Sequence, residues 1–166
     1  MATYYKKLQN GSDIRGVALE GVAGETVNLG TEEAKNLTLG FVKWLAHKTG
    51  KRTDELVVSI GHDSRISAAA LKEAAIESLL NAGAKVFDCG LASTPAMFMS
   101  TVTGEKPFDA SVMITASHLP FNRNGCKFFT REGGLESADI KKLLASAQST
   151  EETGAAPGVE SADTFM

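Results

Sequence analysis

Much that would narrow the reading is missing from this chain. Its apolar runs all fall far short of the roughly 20 residues that a helix needs to cross a bilayer, and its N-terminus has no apolar stretch of the signal-peptide kind. A soluble intracellular protein with no membrane partner is therefore expected, cytoplasmic, or in an organellar stroma or matrix if a transit segment was removed. Cysteine is scarce: Cys89 and Cys126 lie in apolar, strand-like stretches without metal-ligand spacing. That excludes a disulfide scaffold and a Cys-ligated metal, and predicts two free buried thiols in a reducing compartment. No Gly-x-Ser-x-Gly elbow, Walker loop, Gly-x-Gly-x-x-Gly or internal repeat occurs either, so several common enzyme signatures are absent.

Excess charge is lacking as well. The formal net charge is −3, which argues against general nucleic-acid binding. Glu151, Glu152, Glu160 and Asp163 crowd the C-terminus without a basic residue among them, and the rest of the chain holds 17 basic and 16 acidic side chains. The body is thus nearly neutral, and a few cations gathered at one place can form a local positive pocket. At 166 residues and 43% hydrophobic, the chain can bury the core of one domain.

Hydrophobic periodicity supplies the architecture. Asp13 to Leu19 reads as a strand, with 26–29 as a possible return. Thr31 is placed to cap a helix carrying Leu37, Phe41, Trp44 and Leu45, which Gly50 ends. His47, near that helix end, reads as a surface or capping residue. Leu56 to Ile60 and Ala84 to Asp88 read as strands around a helix with Leu71, Ala75, Leu79 and Leu80 inward. Pro95 suits the first position of a short helix before a strand at 111–115. This β-α-β-α-β alternation predicts an α/β fold: a three-layer α/β/α domain with a mixed, mainly parallel sheet. Residues 1–148 form the domain, closed by a helix from Ser137, and the Glu-, Thr-, Gly- and Ser-rich residues 149–166 read as a linker or disordered tail.

The chemistry gathers between residues 110 and 130. Val112, Met113 and Ile114 suit a strand buried on both faces. The loop beyond them carries Ser117, His118, Asn122, Arg123 and Asn124, with Pro120 and Asn124-Gly125 as turn-formers, and Lys127 follows. Adjacent Ser117 and His118 rarely hold the bond that a nucleophile and its base require. A serine amid cations and amides suits a phosphate better, although Ser117 capping a turn is an equal reading on spacing alone. Arg15 in its strand reads as a surface residue or as an anion ligand. Asp63 and Arg65 read as a structural pair or as part of the site. In open α/β sheets the loops at the carboxyl ends of the strands bind ligands, and 61–65, 89–94 and 116–125 all fall there.

Thr115-Ala116-Ser117-His118-x-Pro120, followed by Asn124-Gly125-x-Lys127, resembles the phosphoserine loop of the α-D-phosphohexomutase superfamily. Asp13-Ile14-Arg15-Gly16, Gly61-x-Asp63-x-Arg65 and Thr94-Pro95 resemble its other N-terminal landmarks in order. Leu119 departs from the family's usual Asn and is expected to pack against apolar neighbours such as Phe121. The resemblance implies that Ser117 carries a phosphoryl group exchanged with O1 or O6 of a hexose phosphate through a bisphosphorylated sugar. Arg15, Lys127 and His118 would be catalytic, and Arg65, Asn124 and Arg123 would contact phosphate or substrate. Mg²⁺ would meet this chain only through the phosphate on Ser117, and a hexose 1,6-bisphosphate would act as activator. The family's Asp-Gly-Asp-x-Asp-Arg metal loop and Gly-Glu-x-Ser-Gly sugar loop do not occur in this sequence. The remaining domains of a parent enzyme are therefore implied as partners, and the isolated chain is expected to be inactive. The alternative is a non-catalytic domain that binds phosphate or a sugar phosphate.

Overall fold

The computed structural model describes residues 5–104, 107–116 and 119–153, the last three by backbone alone. Ser117 and His118, which bear two of the expected roles, lie outside the described residues. A 3-10 turn at Tyr5–Leu8 leads into β1 (Gln9–Asn10) and β2 (Asp13–Val17), then α1 (Thr31–Thr49), β3 (Val57–His62), α2 (Ala68–Asn81) and β4 (Lys85–Leu91). The chain continues through α3 (Thr94–Met99), β5 (Ala110–Ile114), β6 (Arg123–Thr130), β7 (Gly133–Gly134) and α4 (Ser137–Thr153). One sheet takes the order β1-β2-β6-β5-β3-β4, with β7 beside β6.

The sheet is mixed, as expected, but its balance is antiparallel. Among the described residues β3 pairs in parallel with β4 and β5, and the other four pairings are antiparallel. Parallel neighbours need a long crossover, which only the β3-α2-β4-α3-β5 stretch supplies to adjacent strands. The short β5 to β6 loop instead returns the chain alongside itself. Since β6 is antiparallel to both β5 and β2, strands β2, β3, β4 and β5 all end at one edge, where β6 begins.

Alternation along the strands builds two unlike faces. On one, Ile14, Val58, Ile60, Val112, Ile114, Cys126 and Phe128 pack beneath α1, α2 and α4 in a single core. Phe41 of α1 stacks on Phe128 with ring centroids 4.4 Å apart. Among the described residues the other face has one short helix. There Met97 and Phe98 of α3 meet Met113 and Phe129, while Asp13, Arg15 and Lys127 stand on the part α3 leaves open. Gly61 permits this packing, because a Cβ there would lie 2.8 Å from Met97 Sδ.

Local differences from the sequence reading have local causes. Gly30, not Thr31, is the N-cap of α1, and its N–H donates to Glu33 Oε1 at 2.8 Å. Residues 26–29 form no strand; the N–H groups of Asn28 and Leu29 both donate to Val17 O. Leu80, expected inward, is 53% exposed on the outer side of α2. Cys89, expected buried, is exposed because β4 is an edge strand that extends to Leu91. Composition marked a boundary at residue 149, yet α4 continues to Thr153. No helix among the described residues is long and apolar enough to cross a membrane.

The two thiols should therefore react differently. Burial pushes Cys126 up to about 12, whereas Cys89, raised by partial burial and the Asp88 carboxylate, still meets solvent. Only the thiolate attacks a disulfide reagent. Titration with an aromatic disulfide at pH 8 should release one equivalent from the native protein and a second only in urea. Two equivalents from the native protein would show that the core is open at β6.

Candidate functional site

The β5 to β6 loop is held at both ends by loops from neighbouring strands. At its start Thr115 donates through Oγ1 to Asp63 Oδ2 at 2.7 Å, and its N–H donates to Gly125 O at 2.9 Å. Asp63 lies just past β3. Its N–H donates to Ile114 O, and its Oδ1 accepts the Arg65 N–H at 3.1 Å. Arg65 reaches across with Nη1, donating to Pro120 O at 2.9 Å and Arg123 O at 3.1 Å. Its Nε lies 3.5 Å from Asp63 Oδ2. The pair is thus a brace between two loops, and a planar guanidinium suits it because the donors leave in fixed directions.

The far end of the loop is anchored just as firmly. Asn124, expected to contact substrate, is fully buried; its amide donates to Ser67 Oγ at 2.8 Å and its carbonyl oxygen accepts the Gly125 N–H at 2.9 Å. This arrangement brackets β6 to the start of α2. Ser67, at the N-cap position of α2, makes no side-chain cap bond. Arg123, also expected at the substrate, binds Glu25 through Nε at 2.9 Å and Nη2 at 2.7 Å. Asn122 O accepts from Ala18 and Leu19, which ends β2 at Val17. Leu119 is half-buried, and Phe121, more than half exposed, lies against Gly21.

Two expected site residues do come together. Arg15 sits opposite Gly125 in the β2–β6 ladder, and Ile14 opposite Cys126, the residue before Lys127. Arg15 Nη2 lies 3.5 Å from Asp13 Oδ2, and Lys127 Nζ lies 3.1 Å from Asp13 Oδ1. Gly125 makes room for this: a Cβ there would collide with Ile14 O and come within 3.1 Å of Arg15 Cγ. Arg15 and Lys127 are partly exposed, on the face that α3 does not cover and beside the strand that feeds Thr115 and Ala116 into the loop. Such a cationic pair over an open face can take an oxyanion.

Sequence reading assigned no role to Asp13, Glu25, Thr115 or Ser67. Asp13 was legible, because it is two residues from Arg15 on a strand and so shares its face. Glu25 lies in an irregular loop with no periodic signal. Among the described residues no three His, Cys, Asp or Glu side chains are grouped to hold a metal. Asp13 and Asp63 are already committed to cations and to Thr115.

Removing the Arg65 brace should be costly, since it takes the guanidinium away from the Asp63 carboxylate and from the Pro120 and Arg123 carbonyls. Arg65→Ala is expected to lower stability by about 2 kcal/mol, and Arg65→Lys should restore little because an ammonium lacks the planar fork. Urea unfolding checks the loss, and faster hydrogen exchange at the Arg123 amide, which donates to Pro120 O, locates it.

The comparisons with known proteins agree with this architecture. The profile of the family described as phosphoglucomutase/phosphomannomutase, alpha/beta/alpha domain I, matches residues 6–154. A phosphoglucosamine mutase of Pediococcus pentosaceus is 37% identical over 130 residues, which cover 76% of this chain and 28% of the relative. A phosphomannomutase of Sinorhizobium fredii is 35% identical over 130 residues, covering 78% of this chain and 26% of the relative. The chain therefore spans between 26% and 28% of the length of these curated relatives. A solved phosphoglucomutase/phosphomannomutase family protein from Burkholderia thailandensis has a TM-score of 0.74 at 24% identity, over 91% of this chain and 31% of that one, a likeness of fold. With a profile match running from the first 3-10 turn to the end of α4, this chain belongs to the phosphoglucomutase/phosphomannomutase family, as its α/β/α domain I.

Proposed function

We propose that this chain is the phosphoserine-bearing domain of a phosphohexose mutase, and that Ser117 exchanges a phosphoryl group with a hexose phosphate. The observation that supports this best is the meeting of Arg15 and Lys127 on the open sheet face beside the β5 strand end. In the transfer the bond from phosphorus to Ser117 Oγ breaks, a bond from phosphorus to the sugar hydroxyl oxygen forms, and the hydroxyl proton passes to Oγ. The reverse transfer from the other position of the bisphosphorylated sugar restores the phosphoserine. Phosphoryl transfer needs positioning and charge stabilisation more than covalent help, which is what two fixed cations supply.

Roles then divide by geometry. Arg15 and Lys127 face the transferring group, and His118 contacts phosphate or sugar. Arg65 and Asn124, whose donors serve the loop, hold its shape rather than grip substrate. Arg123 keeps Glu25 as partner. The family implies Mg²⁺, but the described residues furnish no carboxylate set for it, so its protein ligands would come from the rest of a parent enzyme. Hexose phosphate is the proposed substrate class, hexose 1,6-bisphosphate the activator, and the cytoplasm the compartment.

A complementation assay tests this. The purified chain should not turn over glucosamine, mannose or glucose phosphates alone, because lost positioning can raise a barrier by roughly 7–11 kcal/mol. Mixed with the remaining domains of a relative, Mg²⁺ and a hexose 1,6-bisphosphate, it should restore turnover, and Ser117→Ala should abolish it. Equal activity of the Ser117→Ala mixture would sink the phosphoserine assignment, leaving the phosphate-binding domain as the better reading.

A further inference from the structure

Asp13 does not fit the role of a bystander. Its carboxylate lies between two cations of the open face, 3.1 Å from Lys127 Nζ and 3.5 Å from Arg15 Nη2, and it is two residues from Arg15 on the same strand. The Asp13 side chain is 16% exposed, against 23% for Arg15 and 34% for Lys127. Lys127 Nζ donates to Oδ2 at 3.3 Å, and it also lies 3.1 Å from Oδ1. Oδ1 itself is sealed from water and accepts no hydrogen bond of good geometry. The carboxylate is therefore held chiefly by charge, and it offsets two like charges that would otherwise drive the long side chains apart.

Building on the reading that Arg15 and Lys127 receive a phosphoryl group, we propose that Asp13 is a positioning residue: an internal counter-anion that keeps the two cations in place and competes with the phosphoryl group for them. Two consequences follow from one charge. With Asp13 present, both cations are fixed before the anion arrives, so little ordering remains to be done in the transition state. Its competition also weakens binding of any ground-state anion, which keeps binding energy for the step itself. Neutralising Asp13 should thus tighten anion binding while slowing transfer, a combination that simple damage to the site does not produce.

The test titrates the 166-residue chain with inorganic phosphate at low salt, following amide shifts of Arg15, Gly125 and Lys127, for wild type, Asp13→Asn and Asp13→Glu. Asp13→Asn should bind phosphate about three- to tenfold more tightly, the range for one partly screened charge, and Asp13→Glu should return towards wild type. In the complemented enzyme Asp13→Asn should lower kcat about tenfold or more without raising KM, with Asp13→Glu recovering part of the loss. Unchanged or weaker phosphate binding by a folded Asp13→Asn would overturn the proposal, as would a kcat equal to wild type. Asp13→Ser replaces Asp13→Asn if the latter does not fold, and failure of both to fold would mark Asp13 as structural and overturn the proposal too. The phosphate titration uses only this chain's cations. Its outcome is therefore separate from failure of the mutase reading, which Ser117→Ala decides.

Discussion

The carboxyl edge of the sheet depends on the Asp63 carboxylate. One oxygen receives the Thr115 hydroxyl and the other the Arg65 N–H, so a single side chain joins the end of β3 to the end of β5. The Arg65 guanidinium then extends that junction to Pro120 and Arg123 at the far side of the loop. Each bond is charge-assisted, and Arg65 is largely shielded, which makes the brace stronger than a surface ion pair. Without it the β5 to β6 connection would be an ordinary exposed loop, free to sample many shapes at little cost.

A second constraint is the unequal cover of the two sheet faces. Three helices and a continuous apolar core lie on one side, whereas the short α3 shields the other side only around Met97, Met113 and Phe129. The period-2 alternation of β6 places Cys126 and Phe128 in the core and turns Lys127 to the open side. Likewise Ile14 is in the core while Asp13 and Arg15 face outward. A strand residue at an uncovered position keeps its charge in contact with water yet has a rigid backbone. That combination gives a fixed electrostatic site without the cost of burying an ion.

Cations whose positions do not drift suit an oxyanion, and the pairing of β2 with β6 holds the strands that carry Arg15 and Lys127. Gly125 contributes by having no side chain: Arg15 Cγ passes within 3.1 Å of where a Cβ would lie, and any larger residue would collide with the backbone of β2. Asn124, one residue earlier, is turned inward to Ser67. Neighbouring residues of one turn motif thus serve opposite ends, one clearing space for the site and the other securing the strand.

Local sequence determined a good deal of this. Periodicity and end signals located the helices, including the Gly50 stop of α1 and the inward set Leu37, Phe41 and Leu45. The motif order named the segments that build the site, because short-range patterns reflect chain stiffness and burial, which act residue by residue. Only the tertiary structure decided which of the polar residues face the open side. Asn124 and Arg65 look like ligands in one dimension, but partners 57 and 55 residues away claim their donors. Leu80 and Cys89 carry core-like side chains, yet the outer side of α2 and the sheet edge leave them exposed. The antiparallel balance of the sheet was likewise set by which strands became neighbours. Such outcomes rest on contacts between distant segments, whose free energies exist only once the chain has folded.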